Sequence, residues 1–384
     1  MMNELFEEVR EKLDILEEQA SDLSTSIVNR GGNLRTNLPG MLEEISGFFT
    51  GGDGLVWIEM NNNGKPTSVE YRCNSTISGN DWSPIAITYG ADAIRKVRFK
   101  PTPNALQYKM QLPNDCFNGA TLLTDIDFCG IKLSMIGDNA FMNCENLKEF
   151  DFTILEPSSI PGGSIRINKY AFYNTGLENI NISIPDNPDD VSYFLYRLSL
   201  DNRCFAECRK LKNVNLINVE NFGSGGTFNM GCFYNSKIET LRIDGGNKSQ
   251  FSSANQFYYC EIDKAYINNI SLNSNSTFNN SKIKELYISN CKTRTDFEST
   301  FANCSELLYA EIGIYGYLGS NWMANCPKLE EVRIIKPAES SLQISESTFN
   351  NCPNLLDIYV SWAEGEVANA PWGATNATIH YNTT

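Results

Sequence analysis

One short pattern recurs along the chain: a phenylalanine, a cysteine or other small residue three positions later, and then a short alternating apolar run. It reads AFMNCENLKEFDF at residues 140–152, and related versions begin at residues 204, 300 and 348. A repeat of about 20–29 residues with this apolar spacing is typical of a leucine-rich repeat solenoid. Aligned on the aromatic position, ten units separated by 21 to 33 residues begin at Phe117, Phe141, Phe172, Phe205, Phe233, Phe257, Phe278, Phe301, Met323 and Phe349.

The residues within one unit predict how the units pack. In LKEFDF we expect Leu147, Phe150 and Phe152 to point inward, and the alternation of the last two indicates a short strand. Stacked strands would form a parallel sheet along one face, while the Phe and Cys of each unit would stack on the opposite wall. One unit cannot bury its apolar side alone, so neighbouring units must do this for each other.

Nine of the twelve cysteines occupy repeat positions, which argues against a disulfide framework. Six of them stand three residues after the aromatic position, where other units carry Ala120, Thr175, Ser236 or Ser281. Three more, Cys116, Cys204 and Cys232, stand just before the Phe. Because a free cysteine behaves as a small buried hydrophobe, we expect these residues to be reduced packing residues.

The units resemble the BspA-like leucine-rich repeats, whose characteristic sequence is I-G-x-x-A-F-x-x-C-x-x-L. Residues 136–147, IGDNAFMNCENL, match this sequence almost completely, and APWGATNATIHYN at 370–382 resembles the closing segment of such arrays. The resemblance covers residues 105–384 and implies a repeat domain of about ten units with a C-terminal cap. It also implies binding or adhesion, without fixing a ligand.

The first fifty residues carry a different pattern. Their apolar residues follow a 3-4 spacing across three heptads, which is the a/d seam of a coiled coil. We therefore predict an α-helical coiled coil in residues 1–50 that causes self-association. A homotrimer is the state we expect, although the residues at the a positions do not choose between two and three strands. The predicted oligomerisation residues are Phe6, Val9, Leu13, Leu16, Ala20, Leu23 and Ile27.

A second resemblance concerns the segment SIVNRGGNLRTNLPGMLEEI at residues 26–45. A helix, a Gly-Gly turn and a short helix that opens with Pro resemble a module of phage tail-associated, receptor-binding proteins. This resemblance implies attachment to a virion and partners among other tail proteins. Residues 51–104 alternate apolar and polar residues around turn signals, so we expect a β-rich cap that covers the first repeat.

Composition excludes several classes of function. The formal net charge of −15 argues against binding nucleic acid through its phosphates. No run of eighteen apolar residues is present, so we expect no membrane insertion. The acidic, amphipathic N-terminus is unlike a secretory signal, and we expect the chain to fold in a cytosol.

The sequence offers little for catalysis or metal binding. His380 is the single histidine and lies in a predicted terminal strand, so no Ser-His-Asp or Cys-His arrangement can form around it. Cys204 and Cys208 have close spacing but are expected to face different walls, and GSGG at 223 lacks the lysine of a P-loop. We therefore predict no enzyme, no metal and no cofactor. Paired acids that hydrolyse a polysaccharide remain an alternative, although no pair stands out.

The outward strand positions are the candidate binding surface. Early units place Asp, Glu and Asn there, as at Asp125/Asp127, Glu149/Asp151, Asn179/Asn181 and Asn213/Asn215. Later units add tyrosines between charged residues, a combination that suits a glycan or a protein loop. The alternative is that tyrosine merely fits an exposed strand. The candidate ligand-binding residues are Arg242, Tyr266, Tyr287, Tyr309, Glu311, Arg333 and Tyr359.

Two main hypotheses for function follow. In the first, the chain is a phage tail or baseplate component, assembled in the cytoplasm of a bacterial host, whose repeats bind a glycan or protein on the host surface. Several copies in one particle would turn weak contacts into avidity. In the second, it is a bacterial or protist cell-surface adhesin of the same repeat family and has no place in a virion.

Overall fold

A computed structural model of the chain describes residues 54–60, 66–73, 93–101, 106, 109–156, 164–183, 197–218, 221–222, 231–245, 255–272, 276–293, 298–337 and 340–383. The chain divides into two units, Met1–Val56 and Trp57–Thr384, and nearly all described residues belong to the second. The predicted coiled coil of residues 1–50, with its seam from Phe6 to Ile27, lies outside the described residues. The described part contains no α-helix.

Strands make up most of the regular structure. They are short, as expected where each unit contributes only a few residues to a sheet. In chain order the strands of the described part are Gly54–Met60 (β1), Pro66–Cys73 (β2), Lys96–Pro101 (β3), Lys109–Leu112 (β4), Asp125–Asp127 (β5), Lys132–Ile136 (β6), Ser164–Ile167 (β7), Asn179–Ser183 (β8), Arg197–Leu200 (β9), Leu211–Ile217 (β10), Asn221–Phe222 (β11), Lys237–Asp244 (β12), Glu261–Asn268 (β13), Ser271–Leu272 (β14), Lys282–Thr293 (β15), Tyr309–Leu318 (β16), Glu331–Ile335 (β17), Leu342–Ile344 (β18), Asp357–Val360 (β19) and Thr378–His380 (β20).

Three sheets are built from these strands. A sheet of eleven strands, called here the long sheet, runs in the order β8-β10-β12-β13-β15-β16-β17-β19-β20, with β14 and β18 paired to the far ends of β15 and β16. A second sheet has the order β4-β6-β7-β9-β11, and a third has the order β1-β2-β3-β5. Neighbouring strands in the long sheet pair in parallel, which confirms the predicted parallel solenoid of leucine-rich repeat type.

Most units contribute two strands, one before and one after the Phe, so a further sheet accompanies the predicted one. Before Phe141, Phe172 and Phe205, strands β6, β7 and β9 each end five residues earlier. The stretches SIRI and RLSL alternate apolar and polar residues and bury their apolar members. Alternation of this kind lets a four-residue segment pack one face on the core and pair with its neighbours.

The unit that begins at Phe141 departs from the prediction. Its residues Phe150 and Phe152 are buried as expected, but they form no strand, and Phe152–Ile154 is a turn of 3-10 helix. Asp151 caps this turn, because its carboxylate accepts hydrogen bonds from the Thr153 N–H at 3.0 Å and from the Thr153 hydroxyl at 2.6 Å. The predicted pairs Asp125/Asp127 and Glu149/Asp151 therefore lie outside the long sheet, which begins at β8.

The aromatic positions form a continuous buried ladder. Consecutive rings from Phe117 to Phe301 have centroids 4.6–5.3 Å apart, and Trp322 continues the ladder with its ring plane inclined by 67° to that of Phe301. The backbone repeats in step, since the N–H at each aromatic position donates to the carbonyl just before the next one, from Phe117 to Ala140 through Phe349 to Trp372. Met323 keeps this bonding with Thr348, so it occupies the aromatic position of its unit.

The position three residues after the Phe carries a hydrogen-bond donor in most units. Eleven described cysteines are free, and ten of these are buried, which confirms that they are reduced packing residues. The thiols at this position also donate to the backbone carbonyl at the aromatic position of the preceding unit, as Cys144 does to Phe117 at 3.2 Å. Ser236 and Ser281 make the same bond with their hydroxyls, at 2.8 and 2.6 Å. The position thus selects a small side chain that can donate.

Candidate functional site

The parallel register places outward side chains of the long sheet in two rows. Alternate residues of each strand are buried, so the residues between them face outward together. The first row is Asn179, Asn213, Thr240, Lys264, Glu285, Tyr309, Glu331, Asp357 and Thr378. The second row is Asn181, Asn215, Arg242, Tyr266, Tyr287, Glu311, Arg333, Tyr359 and His380.

The structure brings every predicted ligand-binding residue into these rows. At one end, the Arg242 guanidinium lies 4.7 Å from the centroid of the Tyr266 ring. The other face of Tyr266 stacks on Tyr287, with centroids 4.9 Å apart and ring planes 10° apart. The hydroxyl of Tyr287 donates to Glu285 at 2.9 Å, and Lys264 forms an ion pair with the same carboxylate at 2.9 Å. The pKa of Glu285 is lowered, first by its hydrogen bond with Lys264 and then by that with Tyr287.

Tyr309 and Glu311 hold the middle of the surface. The Tyr309 ring is tilted against Tyr287, with centroids 5.6 Å apart, and its hydroxyl donates to Glu311 at 3.1 Å. Burial, followed by the nearby Glu311 charge, raises the pKa of Tyr309 to about 12. The phenol therefore remains a neutral hydrogen-bond donor at neutral pH.

The far end of the surface repeats the arrangement of a cation on a ring. Arg333 donates to Glu331 at 2.8 Å, and its guanidinium lies 4.8 Å from the centroid of the Tyr359 ring. His380 stacks on Tyr359 with centroids 4.5 Å apart, and its Nε2 lies 2.8 Å from Asp357 Oδ1. His380 thus lies in β20, the terminal strand that its position predicts, and it extends the surface.

The stacking determines which parts of the tyrosines a ligand can reach. Strand order places Arg242 and Tyr287 on opposite sides of Tyr266, and Arg333 and His380 on opposite sides of Tyr359. Both faces of these two rings are therefore covered by their neighbours. What remains accessible is a line of ring edges, hydroxyls and carboxylates, which favours hydrogen bonding over stacking against a sugar ring.

Charges on this surface occur as close pairs of opposite sign. Lys264 pairs with Glu285 and Arg333 with Glu331, each across a few ångströms. Such pairs contribute little to stability where solvent reaches them. They do leave the surface close to neutral, which suits a partner of mixed charge better than a polyanion.

Sequence alternation identified the rows but not the stacking within them. His380 was predicted to be a terminal strand residue and was not among the candidate binding residues, yet it continues the row of Tyr359. The sequence does indicate this position, because His380 in TIHYN stands at the same outward strand position as Tyr359 in DIYV. Within the described ranges no group of three or more His, Cys, Asp or Glu side chains is placed to hold a metal ion. No helix of the described part is long and apolar enough to cross a membrane.

Comparison with known families settles the class of the repeats. A family model described as "BspA type Leucine rich repeat region" matches in six copies, over residues 110–262, 165–308 and 226–356. The chain belongs to the BspA-type leucine-rich repeat family. The BspA-type match begins at β4 and ends at Leu356, and it includes every strand of the long sheet from β8 to β17.

Two solved structures of leucine-rich repeat proteins are similar to the chain over most of its length. A leucine-rich repeat protein from Bacteroides ovatus is 14% identical over 85% of this chain and 98% of its own, with a TM-score of 0.38. A leucine rich cell surface protein from Faecalibacterium prausnitzii is 14% identical over 85% of this chain and 93% of its own, with a TM-score of 0.31. No curated protein is similar enough to the chain to count as a match.

Proposed function

We propose that this BspA-type protein is a non-enzymatic adhesin that binds a macromolecule on a cell surface through the long sheet. The observation that carries the proposal is the unbroken register from Arg242 to Tyr359, which aligns the tyrosines and their charged partners in two rows. Tyrosine and arginine are the residues that most often dominate binding energy at protein interfaces. The covered ring faces of Tyr266 and Tyr359 favour a protein over a glycan as the ligand of this surface.

Binding to intact cells tests the proposal. The full-length chain, fluorescently labelled, is incubated with a panel of bacterial and mammalian cells and measured by flow cytometry. Replacing Tyr287 and Tyr359 by alanine should reduce the bound fluorescence about tenfold or more, because two central anchors are lost. The matched control replaces Asn181 and Asn215, which face outward from the same sheet but in its aromatic-free part.

Treatment of the target cells identifies the class of ligand. Protease treatment should abolish binding, and periodate treatment, which destroys glycans, should leave it unchanged. If the tyrosine variant binds as well as the unaltered chain, the long sheet is not the binding surface. Binding to no cell in the panel would contradict the adhesin proposal as a whole.

The N-terminal sequence favours a second candidate, a receptor-binding component of a phage tail. Its support is the heptad seam from Phe6 to Ile27 and the Gly-Gly and Leu-Pro pattern that follows it. Immunogold electron microscopy separates the two candidates, since antibodies should label either phage tails or the cell envelope. Light scattering of the full chain tests whether it forms the homotrimer. Replacing Leu16 and Leu23 by lysine should dissociate the trimer into monomers. A full chain that is already monomeric would show the heptad prediction to be wrong.

A further inference from the structure

A cleft with a volume of about 670 Å³ lies beside β18, and its lining includes no residue of the two outward rows. One wall is formed by β18 and the residues on either side of it, from Ser340 to Glu346. Tyr317 of β16 and residues 366–369 of the C-terminal cap complete it. Ligand pockets in proteins typically measure about 300–1,000 Å³, so the cleft has room for a small molecule.

The cleft presents neutral polar groups that have no partner in the described part of the chain. The Ser341 hydroxyl and the Gln343 carboxamide line it, and both residues are exposed. Neither side chain makes a hydrogen bond to another described residue, whereas the nearby Asn369 uses its side-chain N–H on the Ile344 carbonyl at 3.4 Å. Hydroxyl and carboxamide groups can each donate and accept, as can the hydroxyls of a sugar.

Tyr317 lies on β16 but outside the two outward rows, and it differs from the tyrosines in those rows. Its residue pairs in register with Gln343, so the aromatic ring and the carboxamide occupy adjacent strands at the same level. Tyr266 and Tyr359 have both ring faces covered, whereas Tyr317 makes no ring or cation contact with another described residue. Tyr317 is half-buried, and a partly exposed aromatic ring beside hydrogen-bonding groups can bind the apolar face of a sugar.

Charge at the cleft selects against anions. Lys336 and Glu366, which both line it, form an ion pair at 3.2 Å and so neutralise each other. Glu346 adds a further carboxylate to the lining. The lining therefore carries one negative charge in excess, which disfavours a phosphate, a sialic acid or a uronic acid.

We propose that this cleft binds a neutral saccharide of one or two rings, with Tyr317 as the stacking surface and Gln343 and Ser341 as hydrogen-bonding groups. The ligand class follows from the uncharged polar side chains of Ser341 and Gln343, the partly exposed Tyr317 ring and the excess negative charge. The proposal does not depend on the adhesin function, because the cleft uses none of the residues in the two outward rows. A saccharide here would be recognised independently of a ligand on the long sheet.

Saturation-transfer NMR on the full-length chain tests the proposal. The probes are glucose, galactose, mannose, N-acetylglucosamine, N-acetylgalactosamine, lactose, cellobiose and chitobiose. At least one of these should receive magnetisation, and Gln343→Ala should weaken its binding about fivefold, as expected for a lost hydrogen bond. Tyr317→Ala should weaken it at least as much, while Tyr317→Phe keeps the ring and should bind like the unaltered chain.

Tyr315→Ala is the matched control, because Tyr315 lies on the same strand, is 36% exposed and does not line the cleft. It should leave saccharide binding unchanged. Transfer to none of the sugars overturns the proposal. So does binding that survives both Tyr317→Ala and Gln343→Ala, or that Tyr315→Ala weakens equally. Gln343 is exposed, so its variant reports on binding even if a change at Tyr317 disturbs folding.

Discussion

The thiol of Cys260 donates a hydrogen bond over 2.7 Å to the carbonyl oxygen of Phe233 in the preceding unit. The same carbonyl accepts the N–H of Ser236 from its own unit. A carbonyl oxygen has two lone pairs, so both bonds can form at once. The cysteine position therefore connects consecutive units by side chain as well as by packing, which explains why serine can replace cysteine there.

Removing the Cys260 thiol should destabilise the repeat array more than replacing it with a hydroxyl. We expect Cys260→Ala to lower the free energy of unfolding by about 1 kcal/mol, the contribution of one hydrogen bond. Cys260→Ser should lose less than half as much, because its hydroxyl can make the bond that Ser281 makes to Phe257. Urea unfolding followed by circular dichroism measures both variants.

The reciprocal exchange Ser281→Cys serves as the control, and it should likewise be tolerated. Equal losses for Cys260→Ala and Cys260→Ser would mean that the position selects size alone. The hydrogen bond from Cys260 to Phe233 would then have no measurable part in stability.

Alkaline pH should destabilise the protein through its buried thiols. Burial raises the pKa of Cys208 to about 11 and that of Cys291 to about 12. In the unfolded chain these thiols ionise near pH 8.5, as free cysteine does. The unfolded state therefore binds fewer protons than the folded state between about pH 8.5 and 11, so the free energy of unfolding falls as pH rises through that interval. Below about pH 8.5, the pKa of these thiols in the unfolded chain, the thiols are protonated in both states and their stabilising contribution is fully present.

Urea midpoints measured across this pH range test the thiol effect. A variant with Cys208→Ser and Cys291→Ser has two fewer titrating thiols, so its midpoint should decline less steeply than that of the unaltered chain. Parallel declines in the two proteins would assign the alkaline sensitivity to tyrosine or lysine instead.

Residue periodicity was sufficient to locate the units and the rows of the long sheet. The Phe positions recur at a spacing that only stacked units explain, and the tails after them, such as LRI and YIS, alternate over three residues or more. Alternation fixes which side chains face outward, and parallel pairing in register then brings Tyr266 beside Tyr287. Both follow from local sequence because every unit repeats the same geometry.

Residue periodicity alone could not predict features that depend on a particular contact between side chains or between a side chain and the backbone. The strand before each Phe is only a few residues long, so its alternation in SIRI is indistinguishable from chance in a single unit. The loss of the strand near Phe150 depends on Asp151 binding the N–H of Thr153, which competes with pairing to a neighbour. The two faces of the Tyr359 ring are covered by Arg333 and His380, and alternation within one strand does not show this stacking.

The stacked pair Tyr266 and Tyr287 should be energetically coupled. A double-mutant cycle compares the free energies of unfolding of the unaltered chain, the two single alanine variants and the double variant. It should give an interaction energy of about 0.5–1.5 kcal/mol, as aromatic pairs do. The control cycle combines Tyr266 with Tyr359, which lie on non-adjacent strands and should be additive within about 0.5 kcal/mol. Similar coupling in both cycles would show that the effect is not due to stacking.

The centre of the aromatic ladder should be the point at which the array is most sensitive. Phe257 is fully buried, and its ring stacks on Phe233 at 5.1 Å and on Phe278 at 4.6 Å. Phe257→Ala should cost about 3–5 kcal/mol, because a large cavity opens between two units. Tyr259→Ala, two residues away and 47% exposed, is the control and should change stability by less than about 0.5 kcal/mol.

The shape of the unfolding transition should also change in Phe257→Ala. In a repeat array each unit is stabilised mainly by its neighbours, so a weakened interface separates the units on its two sides. Calorimetry should therefore show one transition for the unaltered chain and two for Phe257→Ala. A single, shifted transition would instead mean that parallel pairing along the long sheet, rather than the Phe ladder, couples the units, since the pairing of β13 with β12 and β15 is intact in the variant.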